Sequence, residues 1–300
     1  MRAVVTGGAG FIGSHVVEAL LARGDEVHIV DTLVTGRREN VPPAATLHER
    51  DIREPAPDLW AELRPDLVVH LAAQADVGTS VEQPELDAAV NVLGTIRVLE
   101  EARRHNAQIV FSSTGGAIYG ECERPAREDD PRRPLSPYGT AKLAAEEYLA
   151  TWNRLYGTRH VALRFANVYG PRQLAELEGG VVAIFADRLR HGRGMTIYGD
   201  GEQTRDFIYV GDVVEAVLAA IGRDGGVFNV GTGQETSVNE LFDACGRAAG
   251  VDAEAEHAPA RPGDVLRSVL DVSRAARELE WRPRWSLEEG LRTTWESAAA

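Results

Sequence analysis

TGGAGFIGS, residues 6–14, decides how this chain is read. It follows the β-branched run RAVVT (2–6) and opens FIGSHVVEALLARG, a helical pattern that ends at Gly24. Gly7, Gly10 and Gly13 stand three apart at that strand-to-helix turn. Glycines there permit a tight turn, close approach of backbone to a pyrophosphate, and close packing of helix on strand. The start of the helix adds unpaired N–H groups and the positive end of a dipole for phosphates. The next apolar run, EVHIVD (26–31), closes on Asp31, 18 residues after Gly13. A carboxylate at that place accepts from adenosine ribose hydroxyls and repels a 2′-phosphate. The pattern therefore favours NAD, while Arg37 and Arg38 keep NADP open as the lesser alternative. Asp51-Ile52, after ATLHERD (45–51), is either an adenine contact or a solvated loop.

Outward from that turn, strand-like and helical runs alternate. PDLVVHLAA (65–73) precedes a helical stretch at 84–105, AQIVFSS (107–113) precedes a helix over 138–157, and RHVALRFAN (159–167) follows. This rhythm predicts an α/β fold: a doubly wound parallel (Rossmann) sheet with helices on both faces. After residue 166 the rhythm loosens into short strands, turns and helices. The expected division is a dinucleotide-binding domain at 1–166, with 208–231 returning to it, and a smaller, partly interleaved substrate domain at 167–207 and 232–300.

Composition bounds the function. Three hundred residues at 44% hydrophobic content bury a sizeable core. A formal charge of −14 argues against nucleic acid and anionic membranes as partners, so an anionic substrate needs locally placed arginines. Cys122 and Cys245 stand far apart, so neither a disulfide framework nor a metal site is expected. No apolar run approaches the ~20 residues of a membrane span. MRAVVTGG carries no targeting signature, and a soluble cytoplasmic protein is expected.

The chemistry sits in SPYGTAKLAAEEY (136–148). Tyr138 and Lys142, four apart, share one helical face, and an ammonium beside a phenol favours phenolate. Alone, such a pair is more often an exposed tyrosine on a lysine stem. Here the strand before it ends VFSSTGGAIYG, which is expected to deliver Ser112, Ser113 and Thr114 toward the same cleft. Hydroxyl, phenol and ammonium together suit removal of an alcohol proton while hydride leaves for a dinucleotide.

At this point the chain resembles the extended short-chain dehydrogenase/reductase family, within it the NAD-dependent sugar-nucleotide epimerases. The resemblance runs in order through TGGAGFIGS, DTLVTGRREN, HLAAQADVGTSVEQP, NVLGT, SPYGTAK, LRFANVYGPRQ, GDGEQTRDFIYVGDV, FNVGTG, RPGD and LEWRP, nearly the whole chain. It implies Tyr138 as catalytic base, Lys142 as the partner that lowers its pKa and binds the nicotinamide ribose, and Thr114 on the reacting sugar hydroxyl. Implied cofactor contacts are Gly7, Gly10, Phe11, Ile12, Gly13, Asp31, Asp51, Ile52, Leu71, Ala72, Ala73, Asn91, Ser112 and Phe165, beside Tyr138 and Lys142. Implied substrate contacts are Asn167, Val182, Arg205, Arg261, Asp264 and Ser268, with Tyr198 beside a uracil. The implied reaction is 4-epimerisation of a UDP-hexose through a 4-keto intermediate, with recycled NAD and a homodimer built on the helices 84–105 and 138–157.

Two departures shape the expectation. The loop after Thr114 reads SSTGGAIYG, with one residue more than many epimerases carry, and Gly115 and Gly116 leave no acid for dehydration or decarboxylation. Ser268 is small where some relatives carry a bulky tyrosine, which leaves volume for an N-acetyl group at the sugar C2. A UDP-glucuronate epimerase, a sugar-nucleotide reductase and, further off, a non-catalytic NAD-binding regulator are the alternatives.

Overall fold

The computed structural model describes residues 1–175, 180–260 and 265–297. The first half alternates as its sequence pattern predicts. Its elements are β1 (Arg2–Thr6), α1 (Phe11–Ala22), β2 (Glu26–Asp31), β3 (Thr46–Glu49), α2 (Pro57–Leu63), β4 (Leu67–His70), α3 (Val77–Glu82), α4 (Pro84–Ala88), α5 (Thr95–Arg104), β5 (Gln108–Thr114), α6 (Gly115–Ile118), α7 (Pro137–Tyr156) and β6 (Val161–Phe165). The second half holds β7 (Asn167–Tyr169), α8 (Val181–Arg190), β8 (Met195–Tyr198), β9 (Thr204–Arg205), β10 (Phe207–Tyr209), α9 (Val210–Ala220) and β11 (Gly226–Val230). It closes with β12 (Thr236–Ser237), α10 (Val238–Ala249), β13 (Ala255–Ala258), β14 (Arg267–Ser268), α11 (Ser273–Glu278) and α12 (Leu287–Ser297).

Seven strands form one parallel sheet in the order β11-β6-β5-β4-β1-β2-β3. β4 and β6 are buried along their whole length, as all-apolar strands covered on both faces must be. One apolar core fills the face under α1 and α9, a second the face under α5 and α7. The order winds outward from β1 in both directions, so the crevice opens between the carboxyl ends of β1 and β4. That is where TGGAGFIGS lies.

The chain after β6 builds a third core from Val182, Phe185, Leu189, Phe207, Tyr209, Leu241 and Phe242, among others. Its strands are short and pair across long stretches of sequence: β7 with β10, β8 with β13, and β9 between β12 and β14. Strand β11 rejoins the large sheet beside β6. Among the described residues, no helix is long and apolar enough to cross a membrane.

Two features differ from the sequence reading. The stretch 84–105 is not a uniform helix: a π turn at Ala89–Gly94 separates α4 from α5. The wide turn rotates Asn91 inward, where it is 2% exposed, and brings Gly94 under Ile52, whose Cδ1 lies 2.8 Å from where a Cβ would stand. The sequence pattern names no counterpart of helices α2, α3, α6 and α10 or of strands β7, β12, β13 and β14. α10 nonetheless carries plain signals: Ser237 and Glu240 form a reciprocal capping box, and Gly250 ends the helix in the left-handed region.

Candidate active site

The glycine turn is a cradle made of main chain. Gly7 has φ +71°, and a Cβ on it would stand 2.7 Å from the Ala72 nitrogen at the exit of β4. A Cβ on Gly13 would fall 2.0 Å from the Gly7 oxygen. Both positions therefore exclude any side chain, and the space kept clear lies before the first turn of α1. Gly10 caps that helix without a side chain, and no acidic residue occupies its first turn, so the helix end offers N–H groups to an anion. Asp31 closes β2 and is nearly buried: Oδ2 accepts from the Ala9 N–H at 3.0 Å and Oδ1 from the Leu33 N–H at 2.8 Å. Each oxygen keeps a lone pair for a ribose hydroxyl. The residues present fit a dinucleotide.

Of the other expected cofactor contacts, Leu71 and Ala72 border the cradle. They are tied to Thr6 through its carbonyl and its hydroxyl, and Ala73 follows at the crevice. Phe11 packs into the third core and Ile12 at its edge. Asn91 accepts from the Gln74 N–H at 3.0 Å and donates to the Gln74 carbonyl at 2.8 Å and to Asp87 Oδ1 at 2.9 Å. Asp51 is held by Arg53, whose guanidinium lies 2.6 Å away and pulls its carboxyl below the usual range. Beneath β4, His70 is enclosed between Thr6 Oγ1 at 2.6 Å and Thr95 Oγ1 at 3.0 Å. Since Thr95 donates onward to the Asn91 carbonyl, the imidazole must donate from Nε2 and accept at Nδ1. Burial, then the Lys142 charge, push His70 down to about 3, so it is a neutral strut.

Opposite the cradle, α7 starts at the Ser136 cap, whose hydroxyl accepts from the Gly139 N–H. This fixes Tyr138 and Lys142 at the mouth of β5. The Thr114 hydroxyl acts on the Tyr138 phenol in the direction that lowers its pKa. Lys142 is 3% exposed and donates to the Ser112 carbonyl at 3.0 Å, with its ammonium 4.8 Å from the centre of the Phe111 ring and 6.0 Å from that of Tyr138. Burial lowers Lys142 to about 8, although Asp87 and Glu146 oppose the fall. Two expectations are corrected. Tyr138 is not depressed in this state: burial first, then the Asp87 charge, raise its phenol to about 12 against the Thr114 hydroxyl. Ser113 does not reach the cleft; strand alternation turns it to the other face, where it is 4% exposed and its hydroxyl has no partner.

On the far side, Asn167 is exposed at the start of β7, while Phe165 lies buried at the end of β6. Asn167 Oδ1 stands 3.5 Å from where a Cβ on Gly116 would be, and a Cβ on Gly115 would meet Leu270 Cδ1 at 2.5 Å. An acidic side chain at 115 has no room. Arg205 and Ser268 are register partners of β9 and β14, and Tyr198 ends β8, 39% exposed. Val182 is 2% exposed inside the third core, so its side chain is spent on packing. Arg261 and Asp264 lie outside the described residues.

A profile of the NAD dependent epimerase/dehydratase family matches residues 3–231. The chain belongs to this family. Members of known structure superimpose along its full length. UDP-glucose 4-epimerase from Thermotoga maritima, solved with UDP-glucose, is 45% identical with a TM-score of 0.96, covering 100% of this chain and 99% of that one. UDP-glucose 4-epimerase from Thermus thermophilus, solved with NAD, is 47% identical with a TM-score of 0.94 over 99% and 98%. UDP-N-acetylglucosamine 4-epimerase from Methanobrevibacter ruminantium, solved with UDP-N-acetylmuramic acid, is 35% identical with a TM-score of 0.93 over 99% and 98%.

Within this epimerase/dehydratase framework three features escaped the sequence reading. Lys142 is the only lysine among 32 basic residues, a signal that was open to inspection. Arginine serves every other cationic position, yet only an amine can be tuned toward neutral pH by burial. Asp206, 1% exposed, accepts from the N–H groups of Thr232, Gly233 and Leu270 and from the Thr232 hydroxyl. It clips the turn after β11 and the segment after β14 to the chain just past Arg205. One turn beyond Lys142, Glu146 forms a buried bidentate pair with Arg164, which also reaches the Tyr119 hydroxyl at 2.6 Å. None of these contacts follows from spacing.

Proposed function

We propose that the protein is an NAD-dependent 4-epimerase of UDP-hexoses. The observation that carries this reading is the grouping of Thr114, Tyr138 and Lys142 at the carboxyl ends of the strands, facing the glycine cradle. Bound NAD would supply the hydride acceptor and donor for the sugar C4. Tyr138 takes the C4 hydroxyl proton and gives it back, and Thr114 orients that hydroxyl. Lys142 holds positive charge beside the phenol, the direction needed to bring it down from about 12 as the reaction begins. Arg205, with Asn167, Arg261 and Asp264, anchors the diphosphate, since a guanidinium fork binds phosphate oxygens in pairs. Tyr198 flanks the base. The cofactor contacts follow the cradle and its neighbours, with 1–166 and 208–231 as the nucleotide domain. Since the 4-keto sugar must turn over between hydride transfers, the diphosphate is the fixed point and the hexose the mobile one.

Ser268 supports acceptance of UDP-N-acetylglucosamine beside UDP-glucose, because its small side chain leaves the C2 substituent room. UDP-glucuronate is the second substrate to compare. A homodimer through α4, α5 and α7 fits the apolar side chains this face exposes, among them Leu93, Leu155 and Tyr156. A cytoplasmic location is part of the same reading. Proton NMR of each UDP-sugar incubated with the protein tests it. C4 inversion of UDP-glucose and UDP-N-acetylglucosamine is expected; a net change in cofactor redox state without inversion would point to a reductase instead.

A further inference from the structure

Asp87 is the charged group the mechanism above leaves unused. It sits in α4, packed against α7, and is 1% exposed. Its Oδ1 accepts from Gln74 Nε2 and Asn91 Nδ2, each at 2.9 Å, while its buried Oδ2 has no partner. Among the described residues it forms no ion pair. The groups that share its surroundings are Tyr138 and Lys142 of α7, with Gln74 and Asn91 as neutral donors. Lys142 in turn faces Glu146, His70 and the Ser112 carbonyl. Glu146 is committed to Arg164 by two hydrogen bonds at 2.7 and 2.9 Å, and His70 is neutral. Asp87 is thus the one carboxylate near the ammonium whose charge nothing else cancels.

We propose that Asp87 is the counter-charge that keeps the buried Lys142 ammonium protonated, and so sets the pH range in which the Tyr138–Lys142 pair works. It is a positioning residue: it acts on the phenol and the ammonium through space, by charge. Its influence has two opposed signs. It stabilises the ammonium and at the same time resists formation of phenolate, so both groups titrate higher with Asp87 than without it. Removing the charge moves both titrations toward acid.

The proposal rests on the Tyr138–Lys142 reading for its meaning, but its test does not require turnover. Because Lys142 is the only lysine, protein grown on side-chain-labelled lysine gives a single ammonium signal by NMR. In Asp87→Asn, which keeps the acceptor for Gln74 and Asn91, that titration should fall by about one pH unit or more. Asp87→Glu, which retains the charge, should stay within a few tenths of a unit of the parent and also covers the case in which the asparagine variant does not fold. The alkaline limb of the kcat profile of Asp87→Asn should shift the same way. An unchanged lysine titration in Asp87→Asn, or an equal fall in Asp87→Glu, would overturn the proposal. A shifted titration with no epimerisation by any variant would leave it standing and sink the functional reading alone.

Discussion

The two walls of the cleft are held by different physics. On the nucleotide side, β1, β4 and the start of α1 present main chain that admits no side chain: Gly13 has no room for one carbon atom. On the reacting side, α7 presents side chains under electrostatic tension, with a lysine lowered to about 8 and a tyrosine raised to about 12 a turn apart. The first wall is intolerant of volume and indifferent to pH. The second responds to charge. A site built this way separates holding a cofactor from driving a proton transfer, so the two can be broken one at a time.

The sharpest break is Tyr138→Phe, which removes the proton acceptor and leaves the cradle alone. It should lower kcat by about 10²–10⁴-fold with the content of bound NAD unchanged, read by cofactor release on denaturation. Gly13→Ala is the converse. The added methyl meets the Gly7 oxygen, so NAD should be lost on purification, with about 1–3 kcal/mol of overpacking read as a lower Tm. Retained NAD in that variant would show the turn to be softer than described.

Next in size is the pH response of the second wall. As pH rises through about 8, Lys142 loses its proton and kcat should fall about tenfold per unit. Stability should move the other way. The folded-state pKa of Lys142 lies below the 10.5 of a free lysine, so between about 8 and 10.5 the unfolded chain binds more protons and this group's contribution to stability rises with pH. Lys142→Met should therefore abolish the alkaline limb and flatten the rise in Tm over that window. The smallest effect is expected from Asp206→Asn, whose amide N–H₂ would face N–H donors. It should cost about 1–3 kcal/mol and raise KM for the UDP-sugar through Arg205, with NAD content unchanged.

The same contrast explains what the sequence disclosed. The nucleotide wall is local: strand, glycine turn and helix follow within Arg2–Ala22, so spacing alone located Gly7, Gly13 and Asp31. The Tyr138–Lys142 pair was legible for the same reason, being one turn of one helix. Its pKa values were not, since Tyr138 is set by burial and by Asp87, 51 positions earlier and across a π turn that periodicity does not announce. The substrate wall was least legible. Strands β9, β12 and β14 have two residues each and pair over roughly 30 to 60 positions, which leaves no alternation to detect. Arg205 and Ser268 were placed by resemblance, whereas the Asp206 clip that joins their surroundings came only from the fold.

The most direct measurement follows UDP-glucose carrying deuterium at C4, incubated with the protein as purified. If Tyr138 moves the proton and one dinucleotide takes and returns the same hydride, UDP-galactose should form with its C4 deuterium retained and no reduced cofactor accumulating. Absence of the galacto product, or a product that has exchanged its deuterium for solvent hydrogen, would contradict the account.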